Sequence, residues 1–279
     1  EELGATCMGK AMQLGDTFTT HHRGHGIFIA IGGDPNRMMA EIAGKKDGYC
    51  KGKGGSMHIA DMSLGHLGAN AIVGGGIPTI VGAALSHKYF CEPKVSVAFF
   101  GDGAMQQGIL YESMNMAALW KLPAVFCCIN NQYGMGTSIK KASAGENLSK
   151  HGESFGIPGL EVDGMNPLSV YEVCCQAVEW VRSGNGPIVL EMKTYRYRGH
   201  SMSDPAKYRS REEVQKIRDE KDPIDDIKSL LIENKIYSEK EIKNIDNNIR
   251  NNISIAAEKA LAAELPSLSN LYEDVMVKG

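Results

Sequence analysis

The chain has 279 residues, 43% of them hydrophobic, and a formal net charge of −3, enough for one large domain and an appendage at roughly 100–200 residues per domain. The mild acidity offers no basic patch for nucleic acid, no apolar run approaches the ~20 residues that span a bilayer, and no signal peptide is recognisable. Seven cysteines, odd in number and outside any CxxC or Cys/His metal spacing, read as reduced thiols of a cytosolic or matrix protein.

The first residues, Glu1-Glu2-Leu3, lack an initiator Met and read as the interior of an element of a longer chain. Up to about residue 205 the sequence is glycine-rich, with short apolar runs separated by helical patterns and no internal repeat. Gly48-Tyr-Cys-Lys-Gly52-Lys53-Gly54 superficially suggests a P-loop, but it is one residue short and lacks the Ser/Thr for a metal. No GxGxxG follows a strand, so no nicotinamide site is expected. Val95–Phe100 reads as a buried strand, as do Ala124–Ile129 and Pro187–Met192. Between the first two, Gln106–Trp120 places Ile109, Leu110, Met114, Ala117 and Ala118 at helical spacing. Strand, helix, strand at this spacing is a βαβ unit, so the fold class is α/β: a parallel sheet flanked by helices. After Asp204-Pro205 the pattern becomes helical and charged. Ser210 with Glu213 reads as a capping box, Asp222 as an N-cap before Pro223, and Ser238 with Glu241 as a second box. Ile242, Ile245, Ile249 and Ile253 then line one face. The expected division is an α/β domain over 1–205 and a helical extension over 206–279, packed on that domain or on a partner chain.

The chemistry centres on Gly101-Asp102-Gly103, followed after 26 residues by Asn130-Asn131. Each motif directly follows an expected strand. Ligands of open parallel sheets bind outside the carboxyl ends of the strands, so a carboxylate and an amide oxygen face one crevice. Hard oxygen ligands suit Mg²⁺ or Ca²⁺, and magnesium completes its octahedron with phosphate and water. The glycines let backbone approach a phosphate beside the N-terminus of the next helix. Either motif alone is an ordinary turn; the pair, one βαβ length apart, points to a metal-clamped diphosphate.

This pairing resembles the thiamine-diphosphate-binding motif. Met114–Pro123, Asn130–Thr137, Thr194–Pro205 and Tyr208–Val214 are similar to the α subunits of 2-oxo acid dehydrogenases, pyruvate dehydrogenase above all, and the likeness covers nearly the whole chain. It implies the thiamine-diphosphate-binding fold, with thiamine diphosphate and Mg²⁺ as cofactors. The implied metal ligands are the side chains of Asp102 and Asn131 and the carbonyl of Tyr133. Gly103, Ala104, His22 and Arg23 are implied at the diphosphate, the arginine for its planar bidentate fork. Ala71 and Val73 match positions that meet the cofactor, Val73 beneath its bend. His200 matches a histidine at the active-site mouth that can exchange protons near neutral pH, and His25 is a further catalytic candidate.

Position 22, usually tyrosine in pyruvate dehydrogenases, is histidine here. Together with Gly74-Gly-Gly76 it leans towards acetoin dehydrogenase α subunits. Ile129 also departs from the glutamate common before Asn-Asn, which leaves a non-catalytic scaffold open as a reading. Ser201 matches a serine that mitochondrial relatives phosphorylate, whereas a second such serine falls at the shorter Ala206-Lys207. The resemblance implies oxidative decarboxylation of pyruvate, with the acetyl group passed to a lipoyl-bearing acetyltransferase. No motif supplies the glutamate that the cofactor's aminopyrimidine requires. A separate β subunit is therefore implied, in an assembly of two α and two β chains, in bacterial cytoplasm or mitochondrial matrix. A further cofactor-site histidine of the family belongs upstream of Glu1.

Overall fold

The computed structural model describes residues 1–276. In chain order, α1 (Glu2–Ala11) leads to β1 (Thr17–His21), α2 (His25–Ala30), α3 (Pro35–Ile42) and β2 (His66–Asn70). Next come α4 (Gly76–Tyr89), β3 (Ser96–Gly101), α5 (Gly108–Leu119) and β4 (Ala124–Asn130). A two-stranded hairpin, β5 (Tyr133–Gly134) and β6 (Thr137–Ser138), precedes the short α6 (Ile139–Ala142). Then follow β7 (Gly159–Asp163), α7 (Pro167–Arg182) and β8 (Ile188–Lys193), and finally α8 (Arg211–Lys221), α9 (Pro223–Glu233) and α10 (Glu239–Ala262).

Six strands form one sheet in the order β2-β1-β3-β4-β8-β7, and every pairing in it is parallel. The period-2 alternation of strand side chains divides the core into two layers. Val97, Phe99, Val125, Cys127 and Ile129 pack with α1, α2 and α7 on one face. Ala98, Phe100, Ala124, Phe126 and Cys128 pack with α4 and α5 on the other. Burial on both faces is why β3 and β4 are continuous apolar runs. From β1 the chain builds outwards in both directions, to β2 on one side and β3 on the other. The crevice between the carboxyl ends of β1 and β3 is thus the topological switch point where ligands bind.

Polar anchors hold the opposite end. Arg182 pairs with the buried Asp16 through both guanidinium nitrogens, at 2.6 and 3.1 Å, and Asp16 accepts the backbone N–H groups of Gln13 and Val95. A second buried carboxylate, Glu41, organises the P-loop-like stretch. It accepts N–H groups from Cys50, Gly52, Gly54 and Gly55. Gly52 needs to be glycine, with φ of +76° and backbone of residue 44 packed where a Cβ would sit.

The C-terminal helices differ from expectation in one detail. Asp222 and Ser238 cap as anticipated, the latter with a full capping box. At α8 only half a box forms: Ser210 accepts from the Glu213 N–H, while the Glu213 carboxylate accepts from Tyr195 instead. The isoleucine face of α10 is half-buried only at Ile242, which leaves the partner-chain alternative open. Ile245, Ile249 and Ile253 stay exposed, and Ala256 and Ala260 are the buried positions, where α10 meets α3. Beyond α10 the chain is moored to the 45–53 stretch by Lys45 to the Ala263 carbonyl, Lys51 to Asp274 and Lys53 to the Glu273 carbonyl.

Candidate active site

A cavity of about 330 Å³ opens at the switch point. The carboxyl ends of five strands feed it. β1 delivers His21, His22 and Arg23; β2 leads to Val73 and Gly74; β3 to Asp102–Ala104; β4 to Asn131 and Tyr133; and β8 runs on to Arg196 and His200. His22, Arg23, Val73, Asp102, Gly103, Ala104, Asn131, Tyr133 and His200 are thus brought together, as their motifs led one to expect. Two residues are not. Ala71 is not in the lining; it sits in the turn where the Asn70 side chain accepts the Ile72 N–H. His25 opens α2 and its ring turns away, with Nε2 at 2.9 Å from the Ser56 carbonyl.

Asp102 and Asn131 sit at the ends of directly paired strands, with Gly101 in register with Ile129. Asp102 is 2% exposed, and among the described residues no cation lies within ion-pairing distance of it. Burial therefore pushes its carboxyl up to about 6, against the opposing pull of its own and Asn131's backbone N–H groups and of Arg196. A buried carboxylate without a counter-ion is costly, and a divalent cation at this point would relieve it. Asn131 accepts the Tyr133 N–H through Oδ1 at 3.2 Å and directs its Nδ2 to Glu1. Asn130 faces away from the cavity, donating Nδ2 to the fully buried Glu191. Among the described residues no cluster of three or more His, Cys, Asp or Glu forms a self-sufficient metal cage. A hard cation here would need outside oxygens, which is how magnesium binds phosphates.

The backbone after β3 differs from expectation. Asp102–Gln106 forms a 3₁₀ turn and α5 begins only at Gly108, so the backbone N–H groups that follow β3 belong to this tight turn rather than to an α-helix end. A Cβ on Gly103 would lie 4.0 Å from the Cα of Gly134, and any longer side chain would narrow the gap between the two loops.

Arg196, within the Thr194–Pro205 stretch, braces the loop that follows β4. It is 6% exposed. Its guanidinium donates to the carbonyls of Tyr133 (3.1 Å) and Met135 (2.7 Å) and to the Tyr208 hydroxyl (2.8 Å). The Tyr133 carbonyl, with two lone pairs, can accept this bond and still face a cation. His21 also lines the cavity, as do Glu1 and Gln107, which no motif had marked.

Arg23 donates Nη2 to His200 Nδ1 at 3.1 Å and also to the His200 carbonyl. A guanidinium can only donate, so His200 is neutral at Nδ1 and carries its proton on Nε2. Burial, then Arg23 and Arg196, hold its pKa below the ordinary value. His22 is lowered by burial, Arg23 and His200; His21, which accepts the Arg23 N–H, is pushed down to about 4 mainly by burial. Asp204 fixes the His200 backbone at 2.6 Å. Ser201 is exposed, 3.1 Å from the Ser203 hydroxyl. The cavity therefore joins a buried anion to two arginines and neutral imidazoles, a layout suited to a polyanion bridged to a metal.

A family model described as dehydrogenase E1 component matches residues 1–269. The chain is 47% identical over 277 residues to "Pyruvate dehydrogenase E1 component subunit alpha" of Rhizobium meliloti (strain 1021), covering 99% of this chain and 80% of that one. The protein of the same name from Zymomonas mobilis subsp. mobilis (strain ATCC 31821 / ZM4 / CP4) is 48% identical over 278 residues, 99% and 78% of the respective lengths. A mitochondrial counterpart from Dictyostelium discoideum is 44% identical over 277 residues, 98% and 72%.

Proposed function

Because the chain belongs to the dehydrogenase E1 component family, we propose that it is the α subunit of the decarboxylating component of a pyruvate dehydrogenase complex. The observation that carries this is Asp102: a buried carboxylate without a counter-ion, beside Asn131 and the Tyr133 carbonyl, in one cavity with Arg23 and Arg196. When bound, thiamine diphosphate supplies the electron sink that lets a 2-oxo acid lose CO₂. The donor set fits that cofactor with Mg²⁺. Asp102, Asn131 and the Tyr133 carbonyl would hold the metal. Arg23, His22 and the backbone at Gly103 and Ala104 would grip the diphosphate. Val73 would support the cofactor's bend, with Ala71 contributing backbone beside it. Phe100, Ile129 and Met135 add apolar lining to the same cavity and would exclude water. His200, neutral and protonated at Nε2, would hold a donor towards the reacting end, while His25 would act only through the Ser56 loop.

The two carboxylates that line the cavity, Asp102 and Glu1, lie at the proposed metal end, so a β subunit would supply the one for the aminopyrimidine, in a heterotetramer of two α and two β chains. The acetyl group would pass to a lipoyl-bearing acetyltransferase, in bacterial cytoplasm or mitochondrial matrix. No helix of the described residues is long and apolar enough to cross a membrane.

Co-expression with a β chain and steady-state assay on pyruvate, acetoin and 2-oxoisovalerate tests the reading. Turnover of pyruvate with acetylation of a lipoyl domain is expected, and failure to use pyruvate overturns it. His22 in the cavity favours acetoin as the second reading, which the same assay decides. A non-catalytic scaffold would keep its role in Asp102→Ala, whereas the enzyme would lose thiamine-dependent turnover.

A further inference from the structure

The two adjacent asparagines at the end of β4 are held in the same way by different carboxylates. Asn130 gives its Nδ2 to Glu191 at 2.7 Å, and Asn131 gives its Nδ2 to Glu1 at 2.6 Å. Glu1 occupies the N-cap position of α1, yet its side chain makes no capping bond to that helix. The carboxylate is spent on Asn131 instead, and it lines the same cavity as Asp102.

An ionised carboxylate only accepts hydrogen bonds, so it tolerates only the NH₂ end of a neighbouring amide. The amide oxygen is thereby turned the other way, where it meets the Tyr133 N–H and keeps a second lone pair free. The opposite flip would set Nδ2 against a cation and leave two oxygens, one of them charged, in contact. We propose that Glu1 is a positioning residue for metal binding, fixing the Asn131 amide so that its oxygen is available to a divalent cation. This rests on the assignment of Asn131 as a metal ligand. Groups behind the first ligands often set metal affinity over roughly a 10–100-fold range, and α1 packs against α2 and α7, which gives Glu1 a fixed base.

The test uses the α chain assembled with its β partner, titrating Mg²⁺ at fixed thiamine diphosphate and following cofactor binding by calorimetry. The melting temperature in EDTA is measured alongside. Glu1→Ala is expected to raise the half-saturating Mg²⁺ about ten-fold or more and leave the EDTA melting temperature unchanged. Glu1→Gln, which keeps an acceptor oxygen in reach but adds a donor that tolerates the flipped amide, is expected to fall between the parent and Glu1→Ala. An unchanged Mg²⁺ requirement in Glu1→Ala overturns the proposal. So does a fall in EDTA melting temperature that accounts for the defect, since that marks a purely structural role for α1. Equal losses in Glu1→Gln and Glu1→Ala overturn it too, because charge rather than orientation would then be acting. If the parent itself shows no Mg²⁺-dependent binding, the underlying cofactor reading fails, a result separable from all of these.

Discussion

Replacing Asp102 by asparagine keeps the side-chain shape and removes the buried charge. Burial lifts this carboxyl from 3.8 to about 6 in the folded, cofactor-free chain. A raised carboxyl favours the protonated form on folding, so its contribution to stability is fully present below pH 3.8 and is lost as pH rises through 6. The gap of some 2.2 pH units corresponds to about 3 kcal/mol at pH 7.5, and to roughly 1.6 kcal/mol at pH 5, where ionisation of the folded form has barely begun. At around 2–4 °C per kcal/mol, cofactor-free Asp102→Asn melts ~6–12 °C above the parent at pH 7.5 and ~3–6 °C above it at pH 5. Scanning calorimetry in EDTA measures both. With Mg²⁺ and thiamine diphosphate added, the parent gains stability and the variant does not. A variant no more stable than the parent at pH 7.5, or a gap that fails to widen between the two pH values, refutes the view that this site stores an uncompensated charge.

Other perturbations probe the supports. His66 is 1% exposed, stacked on Phe18 at 4.6 Å and pushed down to about 4, mainly by burial. Its neutral form stabilises the fold above pH 6.5, and that stability is lost as pH falls towards 4; His66→Phe should abolish about 2 kcal/mol of the parent's loss by pH 5, read from urea melts at pH 7 and 5. Arg196→Lys replaces a fork that serves three carbonyls and a hydroxyl by a single point charge. It should weaken Mg²⁺-dependent cofactor binding by roughly ten-fold or more, and calorimetric titration showing parent affinity would dismiss the clamp. Ser201→Glu places a charge next to His200 and should lower affinity for the anionic cofactor through repulsion; unchanged binding and activity refute a switch at this serine.

Much of this was legible before any coordinates. β3, β4 and β8 are buried on both faces, so hydrophobicity alone marks them, and the two motifs at their ends converge as their strand positions require. β1 is not marked that way: Thr17-Phe-Thr-Thr-His21 is mostly polar, because Thr19 bonds the Gly76 carbonyl and Thr20 lies against His66. β7, an edge strand, exposes Gly159, Glu161 and Asp163 and gives no apolar run. The site residues that escaped notice share one cause. Arg196 and Glu1 act on loops 63 and 130 residues away along the chain, and their partners exist only once the sheet has closed. His25 is the weaker of the catalytic candidates in the sequence, and its ring is held by the Ser56 carbonyl.

The four donors gathered on Glu41 make the 50–55 stretch a single latch. Because one carboxylate receives all of them, the stretch cannot loosen one bond at a time without exposing a buried anion. Lys51 and Lys53 ride on that latch and tether residues 273 and 274. The grip on the far end of the chain thus depends on a glutamate that never touches it, and loss of Glu41 would cast that end adrift together with the loop.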